Sequence, residues 1–142
     1  MGRFVSIFAA LALVLCASAS AFAENYVEID RHGTNIVYID TDSIVDEGSY
    51  VTAVSKVAIR TKEAREQFKE RSGVEANYLY LTFAYKKDAK QDQFLSARAV
   101  YGIEETGAQS REFSDEHWRD IPKDSLGEKT HDWVINYAAQ QK

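Results

Sequence analysis

The sequence predicts an α+β fold: a six-stranded antiparallel meander sheet with a C-terminal amphipathic helix packed on one face, plus a short charged helix between strands three and four. Three observations predict it. Six segments alternate apolar and polar residues and are joined by short polar turns, and consecutive strands with short connections pair as an antiparallel meander. The last segment carries one apolar stripe at helical spacing, and a sheet face is the only large surface on which it can bury. Between the third and fourth strands stands a dense charged run, flanked by a capping threonine and a terminating glycine.

The elements are taken in order after the leader. Met1-Gly2-Arg3 is a short positive start, an apolar run follows, and Ala21-Phe22-Ala23 is an A-x-A cleavage site. Residues 1–23 therefore read as a secretory signal peptide, and residues 24–142 as a single α+β domain. The apolar run is too short for a spanning helix. Leu15 before Cys16 makes a poor lipid-attachment site, so cleavage after Ala23 is expected. Removing the leader takes Arg3 and no acid, which moves the net charge from −5 to −6. The only Cys and the only Met, Cys16 and Met1, leave with it. The mature chain then has no disulfide, no Cys-ligated metal and no cysteine nucleophile. Its acidic balance argues against nucleic acid as a partner.

Tyr26-Val27-Glu28-Ile29-Asp30 alternates as a half-buried strand does. Arg31-His32-Gly33-Thr34-Asn35 is a polar turn, and Ile36-Val37-Tyr38-Ile39-Asp40 completes a hairpin. Asp40-Thr41-Asp42-Ser43 and Asp46-Glu47-Gly48-Ser49 read as turns, because short polar side chains bond neighbouring backbone groups. Residues 50–60, Val-rich and alternating, form the third strand. In residues 61–72 only Ala64 and Phe68 are apolar, four apart on one helical face. Thr61 can cap this helix and Gly73 can end it. Residues 77–86 and 93–103 are the fourth and fifth strands, Glu104-Glu105-Thr106-Gly107 a turn, and residues 109–113 a short sixth strand. Ser125-Leu126-Gly127-Glu128 has capping-box spacing. Beyond it Leu126, Thr130, Trp133, Val134, Tyr137 and Ala138 fall on one stripe, with Trp133 the expected anchor.

Alternation divides the strands into two faces. An aliphatic set, including Val27, Ile39, Ala53, Leu81 and Tyr101, is assigned to the core under the helix. The opposite set holds Tyr26, Tyr38, Tyr50, Tyr78, Tyr80, Phe94 and Arg98. Several tyrosines on one face are unusual where no partner covers them, and Tyr and Arg are favoured at binding surfaces. Tyr38, Tyr78, Tyr80, Phe94 and Arg98 are the partner-binding candidates.

Catalytic patterns are not found. His32, His117 and His131 match no metal-ligand spacing, and the adjacent His131 and Asp132 are expected on different sides of a helix. Asp40, Asp42, Asp46 and Glu47 fail the calcium-loop template, since Ile44 and Val51 stand where oxygens are needed. The serines sit in no nucleophile motif. The expectation is a protein that is not an enzyme, with no catalytic residues, no metal and no cofactor.

Tyr38-Ile39-Asp40-Thr41-Asp42-Ser43-Ile44, followed by Gly48 and a Val-rich strand, resembles the turn after the first hairpin in the surface-adhesin protein E family of small exported bacterial proteins. Trp118, then Ile121-Pro122-Lys123-Asp124-Ser125-Leu126-Gly127-Glu128, is similar to the start of that family's last helix. The resemblance implies a six-stranded antiparallel sheet with one C-terminal helix, and adhesion to host matrix or serum proteins. The chain departs from the family in lacking a Cys near its end and in the charged segment at residues 62–71.

Two roles follow as expectations. The first is an exported, adhesin-like binding protein that contacts host matrix or serum proteins. The second is a periplasmic structural or assembly protein that self-associates through the aromatic face. In either case the chain crosses the inner membrane and works in the periplasm, at the cell surface or outside it, with no transmembrane segment after leader cleavage.

Overall fold

The computed structural model describes residues 25–111 and 117–141. Six strands pair antiparallel in chain order: β1 (Tyr26–His32), β2 (Asn35–Asp46), β3 (Tyr50–Ile59), β4 (Tyr78–Lys86), β5 (Gln91–Tyr101) and β6 (Glu104–Ser110). A two-residue strand, β7 (Arg119–Asp120), pairs with β5 at Gln91 and Asp92. Helix α1 (Lys62–Ser72) lies between β3 and β4, and helix α2 (Leu126–Gln140) ends the described chain. The expected α+β meander is the observed one. The proposed leader lies outside the described residues. Among those described, no helix is long and apolar enough to cross a membrane.

Helix α2 buries Val134 and Ala138 against Ile29, Ile39, Val51, Ala53 and Tyr85. Val134 is fully buried, while Trp133 is only half-buried and stacks on Tyr137 at 5.2 Å. The anchor is therefore Val134. Ser125 caps α2 through Oγ, which accepts from the Glu128 N–H at 3.2 Å, and Glu128 Oε1 accepts from the Asp124 N–H at 3.3 Å. Helix α1 starts and stops where its caps predict: Thr61 Oγ1 accepts from the Ala64 N–H, and Gly73 is left-handed at φ 76°. Its Ala64 and Phe68 pack on a second, smaller cluster of Ile59, Ala76 and Ala99. Arg65 is half-buried, its Nη1 donating to the Ile59 and Arg60 carbonyls at 3.1 Å, and the remaining charged side chains of α1 are exposed, as the charge run implies.

Several boundaries differ from the sequence expectation. The first hairpin closes at Gly33, with φ 55°, and β2 begins already at Asn35. The Asp40–Ser43 stretch does form its expected local bonds, with the Asp42 N–H donating to Asp40 Oδ1 at 3.0 Å. It does so as a bulge inside β2 rather than as a turn. The register with β3 shifts between Asp40 and Val45, and Ser43 Oγ spans the gap by accepting from the Val54 N–H at 2.8 Å. The sixth strand begins at Glu104, because Gly102, at φ 66°, makes the turn two residues before the expected Glu104–Gly107 turn would begin. Residues 112 and 113 of the expected strand lie outside the described residues. Val27 and Tyr101 sit on the predicted core side yet are 39% and 49% exposed. Val27 lies on edge strand β1, and Tyr101 ends β5 beside the polar side chains of α1.

The α2 stripe is also wider than its apolar residues. His131 is buried, with its Nε2–H donating to the Lys86 carbonyl at 2.6 Å and its ring edge-on to Tyr85 at 6.0 Å. Asp132 does not point away from it: its Oδ1 lies 3.2 Å from His131 Nδ1 and also pairs with Lys90. The short carboxylate folds back along the helix surface and lies between the imidazole and the Lys90 ammonium.

Candidate functional site

Residues directly opposite on neighbouring strands share a face. The register therefore sets Glu28, Tyr38, Lys56, Tyr80, Arg98 and Ala108 in one row across β1 to β6, on the face away from α2. Tyr78 lies in the next row and Tyr26 diagonally beside Tyr38. Four of the five candidates, Tyr38, Tyr78, Tyr80 and Arg98, thus come together on the open face.

Lys56 stands at the centre. Its Nζ lies 4.3 Å from the Tyr78 ring centre, 4.9 Å from Tyr26 and 5.7 Å from Tyr80. The Arg98 guanidinium lies 4.8 Å from Tyr80, and Tyr26 meets Tyr38 edge-on at 6.4 Å. Ammonium and guanidinium groups over ring faces are attracted by the ring quadrupole. Among the described residues no carboxylate lies within 4 Å of Lys56 Nζ, whereas Arg98 shares Glu105 at 3.6 Å. Beside this row lies a shallow concavity of about 470 Å³, lined by Val54, Tyr80, Thr82, Ser96, Arg98 and Ser110. At the far end of the same face Trp118 covers Tyr50, centroids 6.0 Å apart, with Lys86 Nζ 5.2 Å from its ring.

Phe94 does not belong to the patch. Alternation alone places it outward with Arg98. A register shift between Thr82 and Phe83 sets Phe94 opposite Phe83, with ring centroids 5.9 Å apart. Phe83 packs against the core under α2, so Phe94 faces the helix side. Lys56 was the residue that sequence reasoning missed. The signal was available in Val54-Ser55-Lys56, where alternation sets Lys56 opposite the buried Ser55 and on the tyrosine face.

The other chemistry-bearing groups are committed to structure. Asp92 is buried and paired with Arg119 at 3.2 Å. Burial holds its carboxyl above the usual range, with Arg119 opposing the shift. Burial likewise pushes the Tyr85 phenol up, against a hydrogen bond with Ser55. Asp42 accepts from Asn25, and Asp46 accepts from the Gly48 N–H and from Lys87. These carboxylates form turns and ion pairs, as their spacing suggested. Among the described residues no group of three His, Cys, Asp or Glu is placed to hold a metal ion. The open face offers flat rings, two central cations and hydroxyls, which suit contact with a ligand.

No family model, curated protein or solved structure matches this chain.

Proposed function

We propose that this protein is an exported, adhesin-like binding protein without catalytic activity, and that it contacts host matrix or serum proteins through the open sheet face. The observation that carries the reading is Lys56, an ammonium ringed by Tyr26, Tyr78 and Tyr80 beside Arg98 on a face that, among the described residues, no helix covers. Tyr and Arg supply contact area at little cost in side-chain order, which is why they recur at binding surfaces. The leader sequence and the resemblance to the surface-adhesin protein E family support export and adhesion. The test is binding of the secreted chain to a panel of immobilised matrix and serum proteins, against Tyr80→Ser. Saturable binding by the native chain and its loss in the folded variant support the reading. Binding that is indifferent to Tyr80→Ser contradicts it.

One feature favours self-association as a second reading. The row is acidic at its β1 end, with Glu28, and basic at its β5 end, with Arg98. A second copy turned by a two-fold axis would set Glu28 against Arg98 at both ends. Light scattering decides this: a dimer that dissociates on Arg98→Glu supports it, and a monomer at all concentrations excludes it.

A further inference from the structure

We propose that the open face binds a linear acidic polysaccharide, with one carboxylate per disaccharide, lying across the strands along the Tyr38–Lys56–Tyr80–Arg98 row. The proposal rests on the reading of this face as the binding surface and goes beyond it by adding a glycan ligand to the protein partners.

The row alternates ring and cation from strand to strand. Neighbouring strands are about 4.8 Å apart, so the backbone positions of Lys56 and Arg98, two strands apart, are separated by about 10 Å, and both cations border the Tyr80 ring, Lys56 leaning toward Tyr78. An extended pyranose chain with an acid on alternate sugars repeats on that scale. Each such sugar presents a flat C–H face to a ring and a carboxylate to a cation. The concavity beside the row supplies what the sugar hydroxyls need: Thr82, Ser96 and Ser110 hydroxyls over a small Val54 floor.

A peptide suits this place less well. The row crosses the middle of the sheet, where β2, β3, β4 and β5 are already paired on both sides. A peptide lying across them cannot add as a strand, and its amides would go without sheet partners. A glycan carries no backbone amide ladder to satisfy. Charge points the same way. The whole chain carries −5, yet Lys56 and Arg98 stand over aromatic rings at the middle of this row, with Glu105 beside Arg98 and Glu28 only at the β1 end. Local positive potential on an acidic protein selects anionic ligands by position rather than by net charge.

The experiment is calorimetric titration of the secreted chain with hyaluronan octasaccharide, its carboxyl methyl ester and polyglutamate. Hyaluronan should bind, with affinity falling as salt rises. The methyl ester and polyglutamate should bind at least about tenfold more weakly. Lys56→Met and, independently, the exposed Arg98→Gln should each weaken hyaluronan by about tenfold while the chain still unfolds cooperatively. Equal binding of the ester or of polyglutamate overturns the proposal, as does hyaluronan affinity unchanged in Arg98→Gln. Absence of hyaluronan binding, with matrix-protein binding still lost in Tyr80→Ser, overturns the glycan and leaves the face reading intact. Absence of both overturns the two together.

Discussion

The two faces of this sheet hold themselves together by different means. Under α2, Ile39, Val51, Ala53 and Val134 exclude water almost completely and interlock by shape. On the open face nothing comparable among the described residues covers the row around Lys56, and half-buried tyrosines shield one another through edge contacts and share cations. The first arrangement draws its strength from area removed from water, about 25 cal/mol per Å² of apolar surface. The second draws it from pairwise contacts worth about 0.5–1 kcal/mol each at exposed sites. A face built the second way remains soluble and still offers rings and charges to a ligand. On the proposed reading, stability and binding are thus separated onto opposite sides of one sheet.

The separation predicts a graded set of effects. Val134→Ala removes methyl groups from a dry contact, and it should lower unfolding free energy by about 2–3 kcal/mol in urea denaturation. Loss below about 0.5 kcal/mol would mean that α2 is not anchored there. On the other face Lys56→Met should cost about 1–2 kcal/mol, since it removes three cation–ring contacts while the unbranched Met stem still lies on the rings. A larger loss would place Lys56 in the folding core and blur the distinction between the faces. Ser125→Ala deletes the cap of α2 and should cost about 1 kcal/mol, read by the same titration.

The smallest effect is a slope. Burial raises the Asp92 carboxyl above its ordinary 3.8, while Arg119 pulls it down. A raised folded-state value means that the Asp92 contribution is fully present below 3.8 and is lost as pH rises through the folded value. Asp92→Asn removes that dependence. The variant should therefore gain on the native chain as pH is taken from about 3 to about 7, measured by denaturation at each pH. A relative loss over that range would show Arg119 to dominate over burial.

Most of the fold was legible because its signals are local. Alternation marks strands, Thr61 and Gly73 bracket α1, and Ser125 with Glu128 opens α2. Face assignment failed where a register shift intervenes. Phe94 lies one residue beyond the slip between Thr82 and Phe83, and a slip of one residue exchanges the faces. Nothing in a single strand reports such a slip, because it belongs to the pairing of two. His131 was missed for a related reason. An apolar stripe does not count a histidine, yet this one is buried by a bond to the Lys86 carbonyl that only the folded chain supplies. At the candidate site the tyrosines were visible from alternation. Their convergence on Lys56 was not, because it depends on the joint register of β2, β3 and β4.

The central claim is that the open face binds and does not hold the fold. The double variant Tyr78→Ser with Tyr80→Ser tests it directly, by thermal midpoint and partner binding on the same preparation. The account predicts a variant that still unfolds cooperatively, with a midpoint within about 15 °C of the native chain, together with loss of binding to the matrix or serum partner. A variant that unfolds, while binding per folded molecule is retained, would contradict it and make these tyrosines part of the core.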